Sequence, residues 1–119
     1  MKSILVVDDS PTELQAVTSF LKDNGYTYTV AKDGEEAIRK AGETSPDLML
    51  LDVVLPKKNG FQVCRQLKST PATSNIKIVL LTSKNQDSDK YWGIRQGADG
   101  YLTKPFQRAE LLQMLTRFA

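Results

Sequence analysis

The chain contains no histidine and only one cysteine, Cys64, among its 119 residues. Serine and cysteine hydrolase triads, histidine general bases and most zinc sites need an imidazole, so these chemistries are excluded. A lone cysteine cannot form an internal disulfide, and we expect Cys64 to be a small buried residue on a helix face rather than a catalytic thiol. Any chemistry of this chain must therefore use carboxylates, hydroxyls and lysines.

Long apolar segments and dense basic clusters are also missing. The longest apolar runs, such as residues 48–51, are far too short to span a membrane. The N-terminus carries two aspartates where a signal peptide would continue its apolar stretch. The net charge is +2 and the 16 lysines and arginines are scattered, which gives no support for nucleic-acid binding. We therefore expect a cytoplasmic protein that neither inserts into membranes nor binds nucleic acid.

The chain instead shows a regular alternation of short apolar segments and longer segments with helical periodicity. Its length is that of one domain, and we expect residues 1–119 to form that domain without an output domain. Five strands are predicted, each followed by a helix, at 3–7, 27–31, 47–52, 77–81 and 99–103. Five β-α units predict a doubly wound α/β fold with a five-stranded parallel sheet and five helices. By analogy, the expected strand order is the flavodoxin-like 2-1-3-4-5.

Capping signals mark the helix starts. Ser10 and Asp33 are predicted N-caps, and Glu13 and Glu36 stand at the capping-box positions that follow them. Gly93 lies inside the fourth predicted helix, about residues 86–96, where glycine costs about 1 kcal/mol relative to alanine. Close packing of that helix on the sheet would explain it.

Polar side chains are concentrated at the carboxyl ends of the predicted strands, where open α/β sheets bind ligands. They are Asp8 and Asp9 after the first strand, Asp52 at the end of the third, Thr82 and Ser83 after the fourth, and Lys104 after the fifth. Carboxylates this close together repel, so some protonate or a cation joins them, and hard oxygen ligands select Mg²⁺, Mn²⁺ or Ca²⁺ over zinc. A metal ion, a lysine and a hydroxyl around one carboxylate can stabilise a transferring phosphoryl group. Asp52 is therefore the candidate nucleophile, forming an aspartyl phosphate.

The sequence resembles the receiver domains of response regulators along its whole length. The motifs that carry the resemblance are Asp8-Asp9, residues 52–56 followed by Asn59-Gly60, residues 81–83, residues 97–101 and residues 104–106. The resemblance implies a two-component phosphorelay in which a histidine kinase supplies the phosphoryl group to Asp52. The missing histidine fits, because the donor imidazole belongs to the kinase.

The resemblance also implies the roles of the site residues. Mg²⁺, with Mn²⁺ as the alternative ion, is held by Asp9, Asp52 and the backbone carbonyl of Val54, while Asp8 acts partly through water. Thr82 and Lys104 bind the phosphoryl oxygens. The Lys104-Pro105 peptide bond is expected to be cis.

A conformational switch is implied as well. Thr82 moves toward the phosphoryl group and Tyr101 swings into the vacated space. The face formed by the fourth helix, fifth strand and fifth helix then presents two states to an output protein. Trp92 and Tyr101 are candidates for that partner surface, although Trp92 fits packing against a neighbouring helix equally well.

Residues 89–98 resemble single-domain receivers of chemotaxis-like systems that control type IV pili. This similarity favours a role in twitching motility or phototaxis, for a monomer or weak dimer. Val54 and Lys84 stand where receivers influence their own dephosphorylation. Val54 cannot hydrogen-bond an attacking water, so we expect a signalling domain that catalyses only its own phosphorylation and slow dephosphorylation.

Four alternatives remain at this point. The chain could be a phosphate sink that drains a shared kinase, or a pseudo-receiver that never binds phosphate. A Mg²⁺-dependent phosphatase of the haloacid-dehalogenase type would need a second aspartate where Val54 stands. A flavin binder would need a phosphate loop where Asp8 and Asp9 would repel the flavin phosphate.

Overall fold

The computed structural model describes residues 2–83 and 87–119, so the predicted position of Lys84 lies outside the described residues. Within that part the chain forms five strands and five helices in strict alternation. They are β1 (Ser3–Val7), α1 (Pro11–Asp23), β2 (Thr27–Ala31), α2 (Gly34–Thr44), β3 (Leu48–Asp52), α3 (Gly60–Ser69), β4 (Lys77–Thr82), α4 (Asp87–Arg95), β5 (Gly100–Thr103) and α5 (Arg108–Phe118). None of the described helices is long and apolar enough to cross a membrane.

The sheet is parallel throughout and has the order β2-β1-β3-β4-β5, which confirms the predicted doubly wound fold. The chain leaves β2 and returns on the other side of β1, so the winding reverses between β1 and β3. In such sheets the crevice beyond the carboxyl ends of these two strands is the usual ligand site. At this crevice, Asp8 directly follows β1 and Asp52 is the last residue of β3.

Side chains alternate between two apolar layers, one on each face of the sheet. Leu5 and Val7 of β1 face a layer that includes residues of α2 and α3, whereas Ile4 and Val6 face a layer that includes residues of α1 and α5. All five residues of β3 are buried, because this strand lies in the middle of the sheet with helices on both faces. Asp52 is thus carried by the end of a strand that is buried along its whole length.

Cys64 lies in the layer on the α3 side and is fully buried. Burial raises the pKa of its thiol to about 11, which leaves it protonated and unreactive at neutral pH. The expectation of a small buried residue is confirmed.

In both α1 and α2, only one of the two hydrogen bonds of the predicted capping box forms. The N–H of Glu13 donates to the Ser10 hydroxyl at 3.4 Å, but the Glu13 carboxylate pairs with Lys104 instead of returning to the Ser10 N–H. That N–H already donates to Asp8 Oδ1 at 3.0 Å, so it needs no second acceptor. In α2, likewise, Asp33 caps the helix while the Glu36 carboxylate lies 3.4 Å from Lys40. A nearby ammonium is a stronger partner for a carboxylate than a backbone N–H.

Two glycines allow helices to approach the sheet closely. At Gly93 in α4, a Cβ atom would lie 2.9 Å from Leu80 Cδ1 and 3.5 Å from the Tyr101 ring, which confirms the close packing expected of that helix. At Gly60, the first residue of α3, a Cβ atom would lie 2.4 Å from the carbonyl oxygen of Asp52 and 2.8 Å from Val53 Cα. The start of α3 therefore rests directly on the backbone that carries Asp52.

We expect Gly60→Ala to lower the free energy of unfolding by about 1–3 kcal/mol, because backbone atoms cannot move aside as a side-chain end can. Gly42→Ala is the matched control: it is also a helical glycine, but an added Cβ there meets nothing within 4 Å. That control should raise stability by about 0.5–1 kcal/mol through helix propensity. Urea unfolding of both variants measures the difference, and equal midpoints would contradict the proposed contact.

Candidate functional site

Residues from four successive strand ends meet at one edge of the sheet. Asp8 follows β1, Asp52 ends β3, Thr82 ends β4, and Lys104 follows β5. Asp8, Asp52 and Thr82 are only 3%, 7% and 0% exposed, so the site holds charged groups in a largely enclosed place. The parallel register brings these positions together, since Asp52 pairs with Leu81 and Thr82 with Thr103.

The Lys104 ammonium forms the centre of the site. Its Nζ lies 2.9 Å from Asp8 Oδ2, 2.7 Å from Glu13 Oε2 and 3.3 Å from Asp52 Oδ2. One positive charge thus faces three carboxylates, which leaves the cleft with an excess of negative charge. Such a cleft attracts a further cation.

Glu13 is the site residue that sequence reasoning missed. Asp8, Glu13 and Asp52 each offer a carboxylate oxygen, and these oxygens all lie within 4.8 Å of one another. Its place three residues after Ser10 predicts a helix-capping role instead. The available signal was the position of α1, whose first turn directly follows β1 and therefore lies over the strand end.

Asp9, by contrast, is exposed and lies outside this group of three carboxylates. Its role as a metal ligand stays a prediction. The Val54 backbone N–H points at the site and donates to Asp52 Oδ1 at 3.4 Å, while the Val54 side chain is 59% exposed. The Lys104-Pro105 bond is cis, as predicted.

Burial dominates the electrostatics of Asp52. It raises the pKa of this carboxyl to about 6, with Lys104 working in the opposite direction and Asp8 adding to the rise. Burial would also raise the pKa of Asp8, but its contacts with the Glu13 side chain, the Ser10 N–H and the Lys104 ammonium more than offset the burial and hold that pKa below its ordinary value. The two buried carboxylates are therefore unequal, and Asp52 is the more basic one.

Lys104 stays positively charged despite its burial. Removal from water would lower the pKa of its ammonium, but hydrogen bonds to Glu13 and Asp8, together with the charge of Asp52, raise it above the ordinary value. The site therefore contains a permanent cation.

The predicted switch and partner residues lie on the α4-β5 side of the sheet. Thr82 is fully buried and Tyr101 is partly buried against the apolar layer on the α3 side. Trp92 is 53% exposed and meets Tyr91 edge-on, with ring centroids 6.3 Å apart. Both interpretations of Trp92, as a partner contact and as a residue packed against a neighbouring helix, stay predictions.

A cleft of about 620 Å³ opens between α1 and α5 beside the carboxylates. Asp8, Glu13 and Lys104 are among its lining residues, together with apolar side chains such as Phe20 and Phe106. The Lys104–Glu13 pair is thereby open to solvent from one side.

Comparison with known proteins gives consistent matches over nearly the whole chain. The profile of the response regulator receiver domain matches residues 4–116. The protein PilH of Pseudomonas aeruginosa is 44% identical over 97% of this chain and 95% of its own length. Several longer regulators also match, and the chain spans less than half of their length.

Solved structures agree with this similarity. The chemotaxis protein CheY4 of Vibrio cholerae superposes with a TM-score of 0.93 at 34% identity, covering 100% of this chain and 99% of that one. The receiver domain of the sensor histidine kinase PA1611 of Pseudomonas aeruginosa superposes with a TM-score of 0.91 at 32% identity, covering 98% and 96%. The latter structure has a magnesium ion coordinated in its active-site cleft.

The raised pKa of Asp52 predicts a pH-dependent stability of the metal-free protein. The ordinary pKa of an aspartate is 3.8 and that of Asp52 is about 6, so the folded state binds a proton more tightly than the unfolded state. The stabilisation from this proton is complete below about pH 3.8 and is lost as the pH rises through 6. Asp52→Asn has no such proton to lose.

We therefore expect metal-free Asp52→Asn to be more stable than the parent protein at pH 8. The gap should shrink as the pH falls through 6. Urea unfolding in the presence of a chelator, repeated at several pH values, measures it. If the stability difference between the two proteins is the same at pH 8 and pH 5, the raised pKa of Asp52 is refuted.

Proposed function

The chain belongs to the response regulator receiver domain family, and from that premise we propose that it is a phosphorylation switch of a two-component pathway in the cytoplasm. Asp52 accepts a phosphoryl group from the phosphohistidine of a histidine kinase. The observation that supports this role most directly is the convergence of Asp52, Asp8, Thr82 and Lys104 at one strand edge.

Asp52 is suited to be the nucleophile. A pKa of about 6 leaves its carboxylate ionised at neutral pH, yet more basic than an ordinary aspartate. One carboxylate oxygen attacks phosphorus, the new O–P bond forms and the N–P bond to the donor imidazole breaks. The imidazole nitrogen keeps the electron pair of that bond and takes up a proton. Lys104, 3.3 Å from Asp52 Oδ2, neutralises the charge on the incoming phosphoryl oxygens, and the Thr82 hydroxyl binds another of them.

The donor set fits Mg²⁺, because the site offers carboxylate oxygens and no nitrogen or sulfur ligand from histidine or cysteine. Asp9, Asp52 and the Val54 backbone carbonyl would hold the ion, with Asp8 acting partly through water. When bound, Mg²⁺ supplies positive charge that offsets the carboxylates and the phosphoryl oxygens. In its absence Lys104 is the cation that faces these carboxylates among the described residues.

Readout follows from the burial of Thr82. A phosphoryl group on Asp52 recruits the Thr82 hydroxyl, and Tyr101 on the adjacent strand moves into the space behind it. The α4-β5-α5 face then changes its shape toward an output protein. Trp92 and Ile94 are 53% and 70% exposed on α4, which gives that face apolar anchors for a partner.

The similarity to PilH favours a role in chemotaxis-like control of motility, twitching or phototaxis. A phosphate sink would use the same cleft without an output protein. A partner that binds only the phosphorylated chain distinguishes the switch from the sink.

The test is incubation with Mg²⁺ and acetyl phosphate, or with Mg²⁺ and beryllofluoride. We expect a mass gain of one phosphoryl group with the former, and amide NMR shifts at Thr82 and Tyr101 with the latter. Asp52→Asn is the control and should show neither change. If the parent protein gains no mass and shows no shifts while another receiver responds under the same conditions, the proposed function is wrong.

The exposed Val54 side chain predicts slow loss of the phosphoryl group, because it cannot orient a water for attack. We expect Val54→Asn to shorten the phosphoryl lifetime by about tenfold or more, since its amide can hydrogen-bond that water. Val54→Ile keeps an apolar side chain and should retain the slow rate. The decay of phosphorylated protein in Mg²⁺ measures all three, and a lifetime of seconds or less for the parent would contradict the prediction.

A further inference from the structure

Glu13 holds Lys104 more closely than either buried aspartate does. Its Oε2 lies 2.7 Å from Lys104 Nζ, against 2.9 Å for Asp8 and 3.3 Å for Asp52. The Glu13 side chain is 47% exposed, whereas those of Asp8 and Asp52 are 5% and 10% exposed. Glu13 is therefore the most exposed of the three carboxylates and the one nearest the Lys104 ammonium.

The position of Lys104 matters because its ammonium competes with a divalent cation for the same carboxylates. A second positive charge between Asp8 and Asp52 repels Lys104, whose side chain is only 15% exposed and therefore gains from a partner at the open side of the cleft. Glu13 offers Lys104 an anionic partner that is more exposed than either aspartate. The Glu13–Lys104 ion pair also opposes binding of a phosphoryl group, because the phosphoryl oxygens must displace Glu13 from Lys104.

We propose that Glu13 is a positioning residue that holds Lys104 at the open side of the cleft, so that it favours binding of the divalent cation and opposes binding of the phosphoryl group. This inference rests on the proposed function. Glu13 would thereby raise the affinity of the cleft for the divalent cation and lower its affinity for the phosphoryl group.

The consequence is a pair of effects with opposite signs. In Glu13→Gln the ammonium keeps only Asp8 and Asp52 as anionic partners, because the Gln amide oxygen accepts a hydrogen bond but carries no charge, and we expect it to occupy the cation's place more firmly. The dissociation constant for Mg²⁺ should then rise roughly three- to tenfold. At saturating Mg²⁺, beryllofluoride no longer competes with Glu13 for Lys104, so its dissociation constant should fall by roughly the same factor. Amide NMR titrations measure both constants.

Glu36→Gln is the matched control. Glu36 occupies the same position in the first turn of α2 and also lies beside a lysine, at 3.4 Å from Lys40, but it is not a member of the carboxylate group. Both of its dissociation constants should equal those of the parent. A variant effect shared by Glu13→Gln and Glu36→Gln would overturn the inference.

A double-mutant cycle separates positioning from a direct role of the Glu13 carboxylate. In a Lys104→Met background, Glu13→Gln should change neither dissociation constant by more than about twofold. If the loss of Mg²⁺ affinity persists without Lys104, Glu13 acts on the metal itself and the inference is wrong. Parent-like constants for Glu13→Gln alone also overturn it, while the proposed function still stands. A parent protein that binds Mg²⁺ but not beryllofluoride refutes the proposed function instead.

Discussion

A single ammonium group among three carboxylates holds the functional end of this molecule together. Lys104 comes from the segment after β5, and its partners come from the end of β1, the first turn of α1 and the end of β3. Removal of these charges from water is costly unless each has a partner, so every strand end must place its side chain correctly. The order of the sheet and the closeness of α3 to Asp52 serve this arrangement.

The rigidity of Asp52 follows from its strand and from its neighbours. β3 is buried along its whole length, and the backbone after it is covered by the start of α3 at Gly60. A Cβ at Gly60 would fall 2.4 Å from the Asp52 carbonyl oxygen, which leaves no room for a side chain. The backbone that carries Asp52 is therefore tightly enclosed on the α3 side.

Local signals predicted the fold and most of the site. The apolar runs of β1 and β3, the caps at Ser10 and Asp33, and the polar residues at the strand ends were readable because each depends on near neighbours in sequence. Glu13 was assigned to a capping box instead, since its true partner is 91 residues away and only the packed structure brings the two together. The solvent exposure of Trp92 could not be predicted either, because a tryptophan on a helix is compatible with both a surface and an interior position.

The glycine in α4 separates two kinds of evolutionary change. Gly93 faces Leu80 and Tyr101 on the inner side of the helix, where an added Cβ would lie 2.9 Å from Leu80. Trp92 and Ile94, on either side of it in sequence, are exposed. Paralogous pathways within one cell could therefore diverge in partner identity by substitutions on the outer side, which limits cross-talk. The inner contact that couples the helix to the strand would stay the same in all of them.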